Sequence, residues 1–260
     1  MTDIGASIVA WRHSLDALLA LGDTFSVEEW NAPTECPEWT VKDVYAHIVG
    51  GERWMLAGHP VPPGGLASVA DEPVLARRDR SGDAVLAELR EVYALRVDQL
   101  TADPPRPDEP TETAFGMPVS VATLYQHRAF DTWVHEQDVR RAVACPGNLD
   151  APAAEITRDI LLLTLPLVVA KRSAAPSGSV TRMTVSGPVE FECWVLVDDN
   201  RRGHLATVAP PGEPTVSVHM QWETFLRLAA GRIGSDAAAA TVTGDGELAE
   251  RILARFAVTP

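Results

Sequence analysis

The stretch "RAFDTWVHEQDVRRA", Arg128 to Ala142, decides how the first half of the chain is read. On a helix, at about 100° per residue, Leu124, His127, Arg128, Asp131, His135, Asp138 and Ala142 fall within about 60° of one direction. The ends of that face are apolar and its middle is ionisable. Turned inward, such a face needs its charges paired, hydrogen-bonded or bound to a metal, because an isolated buried ion is costly. Asp131 and His135, at i and i+4, stand over adjacent turns and can converge on one cation. Glu136 points elsewhere and reads as solvated. The same spacing also arises on a polar, solvated helix, so the pair alone leaves both readings open.

A third ligand has to come from a second helix. In "WTVKDVYAHIVGGE", Trp39 to Glu52, Thr40 reads as an N-cap with Asp43 at the third helical position, and Val41, Val44, Ile48 and Met55 follow at helical spacing. His47 lies beside Val44 on that inward stripe. Two histidines and one carboxylate would leave a coordination position open, as in catalytic rather than structural zinc sites. The plainer reading of His47 is a core histidine bonded to a backbone carbonyl. Asp138 would either orient a ligand imidazole or pair with Arg141 or Arg128, and His127 reads as a neighbour of the site or a surface residue. Cys36, ahead of Pro37 near a helix start, reads as a capping or packing residue, although that position would favour a thiolate. Gly50-Gly51 is not a phosphate loop, since it lies within a helical pattern and no Lys-Ser/Thr follows. His13 reads as a surface residue.

Helical periodicity places four helices in the first half: Ile4 to Leu21, the His47 helix, about Asp83 to Thr101, and about Val119 to Ala144. Gly58 to Gly65 form a long loop, and "ADPPRPDEPTE" stops the third helix. Four helices of this kind suggest a bundle whose inward stripes hold a site. Beyond "CPGNLDAP" one more apolar helix, about Ala153 to Lys171, leads into the strand-like segments "VTRMTV", "EFECWVLV", "HLATVAP" and "TVSVHM". "WETFLRLAAGR" returns to helical spacing, "AATVTGD" reads as a strand or turn, and "GELAERILARF" is a closing helix. The expected class is α+β: a helical bundle over 1–150 and a smaller α/β domain over 151–260.

The chain of 260 residues, 46% hydrophobic, can supply real cores. Its 36 acidic and 22 basic residues give a net charge of −14, which repels phosphate backbones and anionic lipid, so neither nucleic acid nor membrane is an expected partner. Cys36, Cys145 and Cys193 lie far apart without a CxxC pair, which fits neither a disulfide framework nor a thiolate zinc site and implies reduced thiols. The N-terminal segment lacks the apolar core of a signal peptide, and the longest apolar run, Ile160 to Ala170, is interrupted by Thr164 and Pro166. A soluble, cytoplasmic monomer is expected.

"WNAPTECPEWTVKDVYAHIVGGE", Trp30 to Glu52, resembles the N-terminal signature of the mycothiol-dependent maleylpyruvate isomerase family, within the broader DinB-like metal-binding bundles. That pattern runs as Trp, then Cys-Pro-x-Trp-(Thr/Ser)-Val, then Asp-x-x-x-His, met here by Trp30, Cys36, Pro37, Trp39, Thr40, Val41, Asp43 and His47. A second signature, usually Arg-x-x-Glu-x-x-x-His-x-x-Asp, is met by Arg128, Asp131, His135 and Asp138. The ending "TVTGDGELAERILARFAVTP" looks like the tail of the family's C-terminal domain, which is similar to sterol-carrier folds. The resemblance implies a metal, usually zinc, on His47, Asp131 and His135. The chain departs from the pattern in having Asp131, one methylene shorter than the usual Glu.

The resemblance further implies a thiol cofactor, mycothiol, whose sulfur becomes a nucleophilic thiolate on the metal. In an isomerase that thiolate adds to an activated double bond of a small electrophile, the bond rotates, and elimination regenerates the thiol; in an S-transferase it stays attached. The second domain is expected to close over the bundle site, with Arg227 or Arg232 as an anchor for an acidic substrate. The alternative expectation is a non-catalytic binding module that carries an apolar ligand or a partner protein.

Overall fold

Apolar residues at three- and four-residue steps, with a polar cap ahead of most of the runs, build the first part of the chain from helices. In order they are α1 (Ile4–Gly22), α2 (Val27–Trp30), α3 (Val41–Leu56), α4 (Leu66–Leu75) and α5 (Gly82–Ala102), then a hairpin of β1 (Pro110–Glu112) and β2 (Pro118–Ser120), then α6 (Val121–Ala142). The structure, a computed structural model, describes residues 3–259. It divides into two units, Met1–Ile156 and Thr157–Pro260.

In the first unit α1 packs along α6 and α3 along α5, with further contacts between α1 and α5 and between α3 and α6, which makes a four-helix bundle. Trp11, Leu15, Leu18, Tyr45, Ile48, Leu89 and Trp133 are fully buried between the helices. Thr40 and Asp43 form a reciprocal capping box, in which the Asp43 amide donates to Thr40 Oγ1 and the Thr40 amide to Asp43 Oδ2 at 2.9 Å. One ionic cluster lies in this core: Glu52 on α3, with 0% exposure, accepts from Trp11 Nε1 on α1 at 3.0 Å, Arg96 Nε on α5 at 3.3 Å and Arg128 Nη2 on α6 at 2.9 Å.

The four bundle helices fall where the periodicity places them, but α2, α4 and the hairpin do not appear in the sequence reading. In α4 only Val69 and Val74 are buried, and Pro73 lies inside the helix, where the sequence argues against one. Pro73 packs on Gly50 of α3, where a Cβ would stand only 2.2 Å from the proline Cγ. The proline-rich segment that ends α5 returns as β1, antiparallel to β2, with Pro110 and Pro118 at strand ends where a missing donor does least harm.

The division between the units falls within α7 (Pro152–Leu162). The expected continuous helix to Lys171 is broken: the Thr164 hydroxyl caps the Leu161 carbonyl at 2.6 Å, Pro166 cannot donate, and the chain resumes as a π-helical turn, Leu167–Arg172. Then follow β3 (Val180–Ser186), β4 (Phe191–Val197), β5 (Gly203–Ala206), β6 (Val216–Gln221), α8 (Trp222–Ala229), β7 (Ala240–Gly244) and α9 (Gly246–Ala254). They form one sheet of order β5-β4-β3-β6-β7, in which β3 and β6 are parallel and the other pairs antiparallel. Alternate residues Met183, Val185, Val216, Val218 and Met220 are buried, as are Trp222, Phe225 and Phe256 of the segments around α8 and α9. "AATVTGD" is therefore a strand. The α+β class, a helical unit followed by a sheet unit, is as expected. Among the described residues no helix is long and apolar enough to cross a membrane.

Away from the bundle centre, Glu88 of α5 collects three guanidinium groups: Arg53 Nε at 2.7 Å, Arg77 Nη2 at 2.7 Å, and Arg80. The hydrogen bond from Arg77, joined by Arg53 against the opposing effect of burial, holds its carboxyl down to about 2. A depressed carboxyl stabilises the fold fully above the unfolded value near 4.5 and loses that contribution as the pH falls toward 2. Glu88→Gln should therefore lower unfolding stability by about 1–3 kcal/mol at pH 7. In urea titrations the gap to wild type should narrow steadily below pH 4.5.

Candidate metal centre

Three side chains chosen from spacing meet between α3 and α6. His47 Nε2 lies 3.5 Å from Asp131 Oδ2, His135 Nε2 lies 3.6 Å from Asp131 Oδ1, and the two imidazole centroids are 4.7 Å apart. Both histidines are buried, and Asp131 keeps 29% of its side chain exposed, so the group is reached from the Asp131 side. Trp39, half-buried, lies against both imidazoles with centroid distances of 5.0 and 5.9 Å.

The hydrogen bonds around the imidazoles define their tautomers. His47 Nδ1 faces the Ala70 carbonyl of α4 at 3.4 Å, and a carbonyl can only accept, so the proton sits on Nδ1. His135 Nδ1 faces Asp138 Oδ2 at 3.1 Å, and a carboxylate likewise accepts. Both Nε2 lone pairs are thereby turned toward the Asp131 carboxylate, which has no proton to offer them. His47 Nε2 is buried and makes no hydrogen bond. Lone pairs facing an anion in a buried site are unfavourable unless a cation lies among them. Donors on a zinc-sized ion stand about 3.4 Å apart, close to the observed spacing. The residues present fit a divalent metal.

Electrostatics agree with that fit. Burial lowers His47 from its ordinary value, only partly offset by Asp131, which keeps the imidazole neutral and able to ligate. Burial alone would raise Asp131, but Arg128, then His47 and His135, outweigh it and hold the carboxyl well below the ordinary range. Arg128 donates from Nη1 to Asp131 Oδ2 at 2.9 Å and from Nη2 to Glu52 Oε1 at 2.9 Å.

A second group shares His135 through its other nitrogen. Cys36 is buried and its thiol donates to Asp138 Oδ2 at 3.1 Å, with Sγ 3.8 Å from His135 Nδ1. Asp138 Oδ1 also accepts from Arg141 Nη2 at 2.7 Å, and Arg141 pairs with Glu35 at 2.8 Å. Asp138 thus orients the imidazole and pairs with Arg141 at once, joining the two roles the sequence held apart. Cys36 belongs to this layer behind His135 rather than to a helix cap. Its carboxylate already has a guanidinium, a thiol and an imidazole to satisfy it, whereas the His47 group has unmet lone pairs.

Other expectations resolve as follows. Glu136 is not solvated: it has 0% exposure and pairs with Arg140 Nε and Asn148 Nδ2, each at 2.7 Å, because α1 covers the side of α6 opposite the site. His127 is half-buried, and burial lowers it, partly offset by Asp131. His13 is exposed, and Cys36, Cys145 and Cys193 are thiols outside any disulfide. Arg227 on α8 and Arg232 beyond it are half-buried, with Arg232 donating to the Ala230 carbonyl at 2.7 Å. The sequence reading passed over Glu52, Arg96 and the carbonyl of Ala70. Glu52 follows Ile48, and Arg96 follows Val92, by one turn on an apolar stripe; a lone charge on such a stripe was the signal available.

The pattern of the mycothiol maleylpyruvate isomerase N-terminal domain matches residues 11–140. A Mycobacterium tuberculosis (strain ATCC 25618 / H37Rv) protein, the uncharacterised Rv0036c, is 25% identical over 264 residues, which covers 90% of this chain and 99% of the relative. A second uncharacterised protein of that strain, Rv0738, is 35% identical over 60 residues, 22% of this chain and about a third (32%) of its own length. A crystal structure of the mycothiol-dependent maleylpyruvate isomerase aligns with a TM-score of 0.61 at 18% identity, covering 92% of this chain and 93% of that one. A mutant of that enzyme aligns at 0.58 and 17%. These two likenesses are of fold. With its pattern matched over half its length, the chain belongs to the family defined by the mycothiol maleylpyruvate isomerase N-terminal domain.

Proposed function

We propose that the bundle binds a divalent metal, zinc by preference, on His47, Asp131 and His135, and that the protein is a mycothiol-dependent isomerase or S-transferase acting on a small electrophile. The observation that carries this reading is the buried His47 Nε2, which has no hydrogen-bond partner and is turned toward a carboxylate and a second imidazole lone pair. Two imidazoles and one carboxylate suit zinc and leave a position for a further ligand. The ion would supply acidification of a thiol sulfur, which then serves as the nucleophile. Mycothiol is the thiol to test because the family and the solved fold neighbours bear its name.

The chain's own residues perform the rest. Ala70 and Asp138 hold the Nδ1 protons, so both imidazoles keep Nε2 as the ligating atom. Trp39 covers the two rings on one side and keeps water from them.

Elemental analysis of the purified protein should find about one divalent metal per chain, as one three-ligand site requires. His47→Ala should weaken binding by more than the roughly 10–100-fold expected for loss of an orienting partner. Wild-type protein that takes up no metal would remove the reading. Isomerisation of maleylpyruvate, or conjugation of a general electrophile, should proceed with mycothiol and fall away with other thiols or none; equal rates in all three would exclude the thiol dependence.

A further inference from the structure

We propose that Gly51 and Arg128 act together as a positioning device that presets Asp131 as a single-oxygen metal ligand, an inference that rests on the metal reading above. Arg128 spans two carboxylates, with Nη2 on Glu52 Oε1 and Nη1 on Asp131 Oδ2, both at 2.9 Å. Glu52 is a fixed anchor, since Trp11 and Arg96 hold it as well and no water reaches it. The guanidinium passes directly over α3 at Gly51. A Cβ there would stand 2.6 Å from Nη2 and 2.9 Å from Cζ and Nη1, so only glycine leaves the slot open. The second glycine of the Gly50-Gly51 pair thus serves the site, while the first serves Pro73.

Oδ2 already accepts from Arg128 and lies 3.5 Å from His47 Nε2, so Oδ1, 3.6 Å from His135 Nε2, is the carboxylate oxygen with no guanidinium on it and the one left for a metal. Asp131 has a shorter reach than glutamate and must point correctly from a nearer backbone. A planar fork that bridges two carboxylates fixes that direction; a lysine would bring the charge without the geometry. The same guanidinium also repels a cation, so its net effect on metal affinity decides between orientation and repulsion.

The test measures zinc affinity by competition with a chromophoric chelator, and thermal unfolding of the metal-free protein, on the full chain. Gly51→Ala should weaken zinc binding by about tenfold or more, the range for loss of an orienting partner. Its metal-free stability should fall by less than that of Arg128→Met, because alanine is the better helix former and the guanidinium is displaced from Glu52 rather than removed. Arg128→Met should weaken binding similarly, Arg128→Lys should not restore it, and Gly51→Ala should add nothing in the Arg128→Met background. If wild type binds zinc, His47→Ala does not, and Gly51→Ala binds as tightly as wild type, this proposal alone falls. Tighter binding by Arg128→Met would also overturn it, since repulsion would then exceed orientation. If wild type binds no zinc, the metal reading fails and this proposal with it. Gly51→Ala keeps the test valid even where Arg128→Met fails to fold.

Discussion

Glu52 has no exposure to water, and all four bundle helices meet on it or on its immediate partners. It belongs to α3; Trp11 reaches it from α1, Arg96 from α5 and Arg128 from α6. A carboxylate taken out of water is tolerable only with its hydrogen bonds complete, so each of these helices has one rotation about its axis that satisfies it. Arg96 completes its own needs with the Tyr125 hydroxyl at 3.2 Å and lies over the Trp11 ring at 5.7 Å. Apolar stripes alone would let the helices slide or turn by a fraction of a residue, and the ion cluster removes that freedom. Once Arg128 is fixed on Glu52, Asp131 and His135 follow at the next turns of α6, and His47 stands across from them on α3.

The centre itself has two layers with different states of satisfaction. Behind His135, Asp138 gathers a thiol, an imidazole and a guanidinium, so both of its oxygens have donors. In front, two imidazole nitrogens and a carboxylate face one another with no proton among them. The first layer is complete as folded protein. The second is left with facing lone pairs, and the contrast is why the proposed metal is assigned to it rather than to the overlapping set behind His135.

Much of this was legible in the sequence. Repeats at three and four residues located the four bundle helices to within about two residues, a boundary error that is usual for such readings, and the spacing of Asp131 and His135 with the inward place of His47 picked out three side chains that do meet between α3 and α6. What was not legible has physical causes. The helix α4 carries Pro73 in its interior and buries only Val69 and Val74, so its pattern does not announce a helix, and it is held by the fit of Pro73 onto Gly50. Glu136 was read as solvated because helical angle gives a direction but not what lies there, and α1 covers that side. The double role of Asp138 depends on distances near 3 Å between helix and loop, which no periodicity encodes.

The orientation of His47 is taken from a main-chain carbonyl, that of Ala70, rather than from a side chain. Any residue that keeps α4 helical presents the same oxygen, so position 70 is free to drift through evolution while the imbalance at the centre is preserved. The constraint falls instead on the backbone path between α3 and α4: an insertion or deletion in residues 57–65 that shifted α4 would turn the imbalance off without touching His47, Asp131 or His135. Comparison of relatives by side chain alone would therefore pass over one of the groups that set the orientation of His47.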